Sequence, residues 1–218
     1  MNEHPRRPGR PSSPLSRRAL VMAAREVFAT EGFAGATLDA IAGRLGIRKP
    51  SLLHHFPSKD ALYAEAVATL LEELATVFAT ALAPGPFAER LDALSEALTR
   101  YLAAHPEAAA LLLRELGGPR VGPPGAEAAV NLLRASSAFL QSAMDTGEIP
   151  RRDPAQISMS VVGVHLVWFA VPTVTSLVAG ANPYDPASVE RRVAAVTAQV
   201  RAICGVPSPA MQPRSQPC

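Results

Sequence analysis

Residues 37–59 read TLDAIAGRLGIRKPSLLHHFPSK, and this stretch predicts two short helices joined by a tight turn. Thr37 is a good N-cap for the first helix, and Gly46 supplies the turn. The second helix tolerates Pro50 because the N–H groups of a first helical turn are unpaired in any case. The pattern is typical of a helix-turn-helix motif, here at about residues 37–56.

The second helix of this motif is expected to have one buried face and one outward face. Leu52 and Phe56 are four residues apart, so they share the face that should pack on the core. In a helix-turn-helix motif the second helix enters the major groove of DNA, where arginine most often reads guanine. We therefore expect double-stranded DNA as a partner. The candidate DNA contacts are Thr37, Arg48, Lys49, Pro50, Ser51, Leu53, His54, His55 and Lys59.

The distribution of charge agrees with this expectation. Residues 1–62 contain eight Arg and two Lys against five acidic residues, a net charge of +5. Residues 63–218 contain eleven Arg against fourteen acidic residues, a net charge of −3. A basic N-terminal part on a mildly acidic body favours a polyanion as the partner of the first part alone. Lys59 is expected at a helix N-terminus, where its ammonium and the free backbone N–H groups favour a phosphate.

A longer stretch, residues 46–63, resembles the recognition-helix signature of the TetR/AcrR family of transcriptional regulators. It reads GIRKPSLLHHFPSKDALY. The positions that match the family pattern are Phe28, Gly32, Phe33, Thr37, Gly46, Ser51, His54, Phe56, Ser58, Lys59, Asp60 and Leu62. The resemblance is strong over about residues 16–73 and is one of architecture beyond them.

The resemblance implies an all-α chain of about nine helices. An N-terminal three-helix helix-turn-helix domain, residues 14–73, would be joined to a C-terminal helical ligand-binding and dimerisation domain, residues 74–204. Residues 1–13, rich in Pro, Arg and Ser, are expected to form a disordered basic arm, and residues 205–218 a flexible tail. A helix over about residues 58–82 would belong to both domains and could link them mechanically.

Two positions depart from the family pattern. The family usually has Tyr at the position of Leu53, and that Tyr often touches the DNA backbone; Leu53 cannot donate a hydrogen bond. The family often has Ser at the position of Arg48, where it caps the recognition helix. Arg48 cannot cap through a side-chain oxygen, but it can reach a phosphate or a guanine edge.

The body contains one long apolar stretch, Ile157 to Ala179, without a formally charged residue. Its length would suffice to span a membrane, but it contains His165, Pro172 and several Ser and Thr. A helix buried in a helical dimer is the favoured interpretation, so no membrane partner is expected. The next helix carries a seam with the spacing 4, 3, 4, 3, which fits either packing within the chain or a homodimer interface. Its residues are Val189, Val193, Val196, Val200 and Ile203.

A sensing pocket in the body is implied by the resemblance. Aromatic and Met side chains at helical spacing more often belong to a core than to a pocket. Each candidate residue is therefore interpreted either as a core residue or as a residue that lines the pocket. A lone imidazole and an indole N–H in an apolar helix need partners, which singles out His165 and Trp168. Few acids lie nearby, so the effector is expected to be an apolar or amphipathic small molecule. The candidate lining residues are Tyr101, Leu112, Phe139, Met144, His165, Trp168 and Phe169.

The sequence lacks the usual signatures of an enzyme, a metal site or a cofactor site. It has no Gly-rich phosphate loop, no GxSxG and no metal-spaced His and Cys set. It has two cysteines and no secretory signal, which favours a reducing, cytoplasmic location. We therefore expect a dimeric, ligand-responsive regulator, most often a repressor released from a palindromic operator. The alternative is a helical protein–protein adaptor without specific DNA binding.

Overall fold

The computed structural model describes residues 16–117 and 123–207, and all regular secondary structure within these residues is helical. The expected arm lies outside the described residues, as does the expected tail beyond residue 207. The described part has ten α-helices and a short 3-10 turn, Thr80–Leu82. The helices are α1 Arg17–Gly35, α2 Leu38–Arg44, α3 Lys49–His55, α4 Lys59–Ala79, α5 Phe87–Ala104, α6 Pro106–Gly117, α7 Pro123–Asp145, α8 Pro154–Ala170, α9 Pro172–Ala179 and α10 Pro186–Cys204.

Helix α1 begins at a side-chain cap and turns sharply near its end. The hydroxyl of Ser16 accepts a hydrogen bond from the Ala19 amide at 3.2 Å. Gly32 has φ 70° and ψ 171°, a conformation that glycine adopts without steric penalty. The chain beyond this glycine places Phe33 against Tyr63 of α4, with ring centroids 4.9 Å apart. Phe33 is thereby packed, partly buried, against the core of the N-terminal helices.

Helix α4 runs from the N-terminal helices into the body, and its buried side chains belong to one hydrophobic core along the way. Its cap is Ser58, whose hydroxyl accepts from the Ala61 amide at 3.1 Å. Leu62 and Leu70 are fully buried in the same hydrophobic core, which also includes Leu20 of α1 and Leu111 of α6. One continuous core therefore crosses the expected domain boundary near residue 73.

A second hydrophobic core forms at the far end of the body and includes Phe87, Phe139 and the seam of α10. Val196 and Val200 are both 0% exposed, because α10 packs closely on α5 of the same chain. The expected dimer seam is wrong for these valines and for Val189, which is also buried. The spacing marked the buried side of α10, but the helix that covers it belongs to this chain.

The long apolar stretch forms two helices and not one. Helix α8 ends at Ala170, α9 begins at Pro172, and the two axes differ by 86°. Proline removes a helical N–H group and its ring clashes with the preceding turn, which accounts for the break. Within the described residues no single helix is long and apolar enough to cross a membrane; the bent pair α8–α9 passes a test of length and composition only.

Candidate functional site

The helix-turn-helix motif is built by local hydrogen bonds that its sequence provides. The hydroxyl of Thr37 accepts from the Ala40 amide at 3.0 Å and so caps α2. Gly46 has φ 66°, and the Ile47 amide donates to the Ala42 carbonyl at 3.1 Å across the turn. These contacts fix the direction in which α3 leaves α2.

Helix α3 presents to solvent the face that its spacing predicts. Leu52 and Phe56 are buried, so the prediction of its inward face is confirmed. Arg48 occupies the N-cap, makes no side-chain capping bond and is exposed. The candidate DNA contacts of this motif are individually exposed, and they are Thr37 at the start of α2 and Arg48, Lys49, Pro50, Ser51, Leu53, His54 and His55 along α3.

The exposed surface of α3 contains one internal ion pair and two adjacent imidazoles. The ammonium of Lys49 lies 3.3 Å from a carboxylate oxygen of Asp39, and both side chains are largely exposed. An exposed pair of this kind stabilises the fold by at most about 1 kcal/mol, so Lys49 can exchange the carboxylate for a phosphate. The rings of His54 and His55 meet edge to face, with centroids 5.6 Å apart. Among the described residues no group of His, Cys, Asp and Glu could hold a metal ion.

Lys59 makes hydrogen bonds to the backbone that its sequence pattern did not predict. Its ammonium donates to the carbonyls of Phe33 at 2.7 Å and Ala36 at 3.0 Å, and it lies 4.4 Å from the Phe33 ring centroid. Lys59 thus ties the start of α4 to the carbonyl end of α1. An ammonium has three N–H donors, so one remains for a phosphate.

Arg17 makes a comparable tie on the other side of the motif and was also missed. Its guanidinium donates to the His55 carbonyl at 2.9 Å and lies 4.2 Å from the centroid of the Phe56 ring. The C-terminal end of α3 is therefore held against α1 by a charged hydrogen bond and a cation–π contact. The Arg17 contacts therefore hold α3 against α1, and the Lys59 contacts hold α4 against the end of α1.

A buried ion cluster joins α1 to the body. Arg25 of α1 is 0% exposed, and its guanidinium lies 2.8 Å from Glu73 of α4 and 3.0 Å from Glu107 of α6. The guanidinium also donates to the Tyr101 hydroxyl of α5 at 3.2 Å, and that hydroxyl donates to Glu73 at 2.6 Å. Burial by itself raises the pKa of Glu73, but the bonds from Tyr101 and Arg25 outweigh it and hold that pKa below its ordinary value. Four helices thus meet at one buried positive charge.

An apolar cavity of about 120 Å³ lies in the body, between α4, α5, α6, α7 and α8. Two of the predicted lining residues, Leu112 and His165, do line it. The aliphatic residues that form most of its wall were missed, because nothing in their spacing separates them from ordinary core positions. The lining residues are Leu71, Leu74, Val77, Phe78, Leu94, Leu98, Leu112, Ala129, Leu132, Leu133, Ser136, Val161, Val162, His165 and Leu166.

The other five predicted lining residues lie elsewhere. Tyr101 belongs to the ion cluster, and Phe139 and Met144 are buried in the second core. Phe169 is buried beside Tyr184, with ring centroids 5.8 Å apart. Trp168 lines a separate open groove between α8, α9 and α10, where the Arg192 guanidinium lies 4.7 Å from its ring centroid. Most of the aromatic residues chosen from the sequence are therefore packing residues.

His165 is the one cavity residue with an unused polar atom. Its side chain is 2% exposed, and its Nδ1 lies 2.8 Å from the Val161 carbonyl of the preceding helical turn. Its Nε2 is buried and has no hydrogen-bond partner among the described residues. Burial and the nearby Arg192 lower the pKa of His165, which keeps the ring neutral at pH 7.

The fold and the exposed second helix define a helix-turn-helix regulatory protein with a helical body. The sequence profile described as bacterial regulatory proteins, tetR family, matches residues 20–66. Residues 20–66 thus form an N-terminal domain of the tetR type, as found in bacterial regulatory proteins.

Two curated relatives are similar to the N-terminal part. The transcriptional regulator RutR of Escherichia coli K12 is 39% identical over 56 residues, which are 26% of this chain and 26% of RutR. The transcriptional activator FasR of Mycolicibacterium smegmatis is 50% identical over 44 residues, which are 20% of each chain. The chain thus matches about a quarter or less of the length of these relatives.

Solved structures are similar over nearly the whole length. SCO4942 of Streptomyces coelicolor, described as a transcriptional regulator, is 26% identical with a TM-score of 0.65, covering 88% of this chain and 99% of that one. FadR of Bacillus subtilis, solved in complex with stearoyl-CoA, is 17% identical with a TM-score of 0.67, covering 88% of this chain and 100% of FadR. The predicted all-α architecture, with a helix-turn-helix domain followed by a helical body, is confirmed.

Proposed function

We propose that the chain is a homodimeric repressor that binds a palindromic DNA operator and releases it when a small apolar or amphipathic molecule enters the body. The observation that carries this proposal is the outward face of α3, where Arg48 and Lys49 stand at the end that enters the groove in this motif. The remaining DNA contacts of the proposal are Thr37, Pro50, Ser51, Leu53, His54, His55 and Lys59.

The repressor proposal requires that a structural change in the body reach α3, and the continuous core connects the two. Leu71 and Leu74 of α4 line the apolar cavity, and the same helix begins at Lys59, which holds the end of α1. A molecule that widens the cavity would displace α4 and so change the spacing between the two reading helices of a dimer. FadR, which has a similar fold, was solved in complex with stearoyl-CoA, an amphipathic molecule, and this supports the proposed class of effector.

A homodimer interface is proposed on the outward faces of α8 and α10. Met159 and Val167 of α8 are more than half exposed although both are large and apolar. The solvent side of α10 carries small side chains, Ala195, Ala198 and Ala202, which allow a close approach by another helix. Exposed apolar side chains beside a smooth alanine surface favour a second copy of this chain as the cover.

The Val167→Asp variant should weaken the dimer by more than about tenfold, because a carboxylate would lose much of its hydration in a mostly apolar interface. Val167 is 52% exposed in the single chain, so its replacement should leave the fold of each chain intact. Analytical ultracentrifugation over a range of protein concentrations measures the dissociation constant directly.

The matched control is Val130→Asp on α7, where the side chain is 42% exposed and belongs to neither of the two helices of the proposed interface. This variant should dimerise like the wild type. Equal dissociation constants for the two variants would place the dimer interface elsewhere.

The function itself is tested by a salt titration of DNA binding. Fluorescence anisotropy would compare a duplex from the gene's own upstream region with a scrambled duplex of equal length. A regulator should lose about 10³-fold or more in affinity between about 50 and 200 mM salt, through counterion release, and should keep a preference for one sequence. A helical adaptor should show neither the salt dependence nor the preference, and that result would refute the proposed function.

A further inference from the structure

We infer that the effector is a small, mostly hydrocarbon molecule with a single hydrogen-bond donor, a hydroxyl or an N–H group, which it gives to Nε2 of His165. This inference rests on the proposed ligand response and specifies the chemical class of the ligand. Its support comes from the size of the cavity, the composition of its wall and the tautomer of one imidazole.

The cavity limits the size of the molecule. Its volume is about 120 Å³. An apolar protein cavity of about 150 Å³ holds one benzene molecule. A molecule with a single six-membered ring is therefore close to the upper limit for this space, whereas a long acyl chain would require a large rearrangement of the wall.

The wall of the cavity offers almost nothing to a polar molecule. Thirteen of its fifteen lining residues are apolar, and the other two are Ser136 and His165. The Ser136 hydroxyl already lies 3.2 Å from the Ser158 hydroxyl. Ser136 uses its proton within the protein, whereas Nε2 of His165 has no partner among the described residues. Since a buried polar group without a partner is costly, the ligand can carry about one polar group, and we place that group at His165.

The protonation of His165 determines what that polar group must be. A carbonyl oxygen only accepts hydrogen bonds, so the 2.8 Å contact with the Val161 carbonyl places a proton on Nδ1. In a neutral ring Nε2 then carries a lone pair and can only accept. The Ser95 carbonyl opposes the effect of burial and raises the pKa of the ring, but it makes no hydrogen bond of normal geometry with Nε2. That carbonyl already accepts a hydrogen bond from the Thr99 hydroxyl at 2.7 Å. The missing partner is a donor.

The same geometry disfavours a carboxylate ligand. A carboxylate would face the Nε2 lone pair inside an apolar wall and would lose most of its hydration. The nearby cation, Arg192, lines the groove on the other side of α8, and its guanidinium donates to the Val164 carbonyl. The cavity therefore selects a neutral donor such as a phenol.

Isothermal titration calorimetry on the full-length protein tests the inference with four matched probes: 4-methylphenol, anisole, toluene and 4-methylbenzoate. The first should bind about tenfold more tightly than anisole and toluene, the size of one buried hydrogen bond, and more tightly than the anion. Equal affinities for 4-methylphenol and anisole, tighter binding of 4-methylbenzoate, or no binding by any probe would each overturn the inference.

Two variants of His165 test whether its imidazole causes the preference for 4-methylphenol over anisole. The His165→Gln variant keeps an acceptor, and it should retain the preference for 4-methylphenol over anisole. The His165→Leu variant should bind the two probes equally. Retention of the full preference in His165→Leu would show that another group receives the hydroxyl. Should His165→Leu fail to fold, the ratio of probe affinities in the wild type still decides the question.

Failure of this inference and failure of the proposed function are separable. Operator binding is measured in parallel, without probe and with saturating 4-methylphenol. Specific DNA binding that is relieved only by an anionic or long-chain molecule would overturn the ligand class and leave the regulator intact. Tight 4-methylphenol binding without specific DNA binding would leave the ligand class intact and refute the regulator.

Discussion

The Arg25→Met variant should lose about 3–5 kcal/mol of unfolding free energy at neutral pH, since removal of one partner strands buried charges of the opposite sign. Arg25 is 0% exposed and lies within 3.0 Å of carboxylates of both Glu73 and Glu107. Methionine has a similar length and fills the same space. The loss therefore reports the charge more than a cavity, and urea denaturation measures it.

The loss should shrink as the pH falls. In the wild type the pKa of Glu73 is below its ordinary value, so its contribution to stability is present above the unfolded pKa and is lost on acidification. Without Arg25, burial would favour a raised pKa for the Glu73 carboxyl, and proton uptake there would then relieve the buried charge. The difference between variant and wild type should thus be largest at neutral pH and smaller near about pH 5.

Arg18 provides the matched control for the ion cluster. Its guanidinium lies 3.7 Å from the same Glu73, but its side chain is 76% exposed. The Arg18→Met variant should change the unfolding free energy by less than about 1 kcal/mol, as is usual for exposed pairs. A comparable loss in the two variants, or a loss independent of pH, would contradict the assigned role of Arg25.

The Arg48→Ala variant should bind its operator about 5–150 times more weakly and should lose discrimination at one base pair of each half-site, the effect of removing about 1–3 kcal/mol of base contact. Arg48 is exposed at the N-cap of α3 and makes no capping bond, so its side chain is available to DNA. Competition with single-base operator variants measures the preference at each position.

A comparison with Lys59→Ala separates base reading from charge. Lys59 makes two bonds to backbone carbonyls and offers at most one more N–H to a phosphate. Its replacement should weaken binding to all sequences about equally and lower the unfolding free energy as well. A uniform loss of affinity in Arg48→Ala, with base preference unchanged, would show that Arg48 contacts only the DNA backbone.

Local rules were sufficient to predict the helix-turn-helix motif. The caps at Thr37 and Ser58 depend on hydroxyl groups and amides three residues apart, and Gly46 is needed because the turn requires a positive φ. The inward face of α3 follows from the spacing of Leu52 and Phe56. Each of these features is decided within about five residues of chain, so sequence patterns capture them.

Features that depend on distant parts of the chain could not be predicted in this way. Arg17 and Lys59 bond to backbone carbonyls, which carry no signature of their own in a sequence. The spacing of Val196 and Val200 shows that one side of α10 is buried, but it does not identify α5 as the cover. A cavity forms where side chains fail to meet, so its aliphatic wall looks like any other core.

The continuous core along α4 has a consequence for how the molecule unfolds. Leu62 near the DNA-binding end and Leu70 near the cavity belong to one packed cluster, so neither end can lose its packing alone. The N-terminal helices and the body should therefore melt as one cooperative unit. The binding free energy of a ligand in the cavity would then also stabilise α3 against local unfolding, although α3 lies far from the ligand.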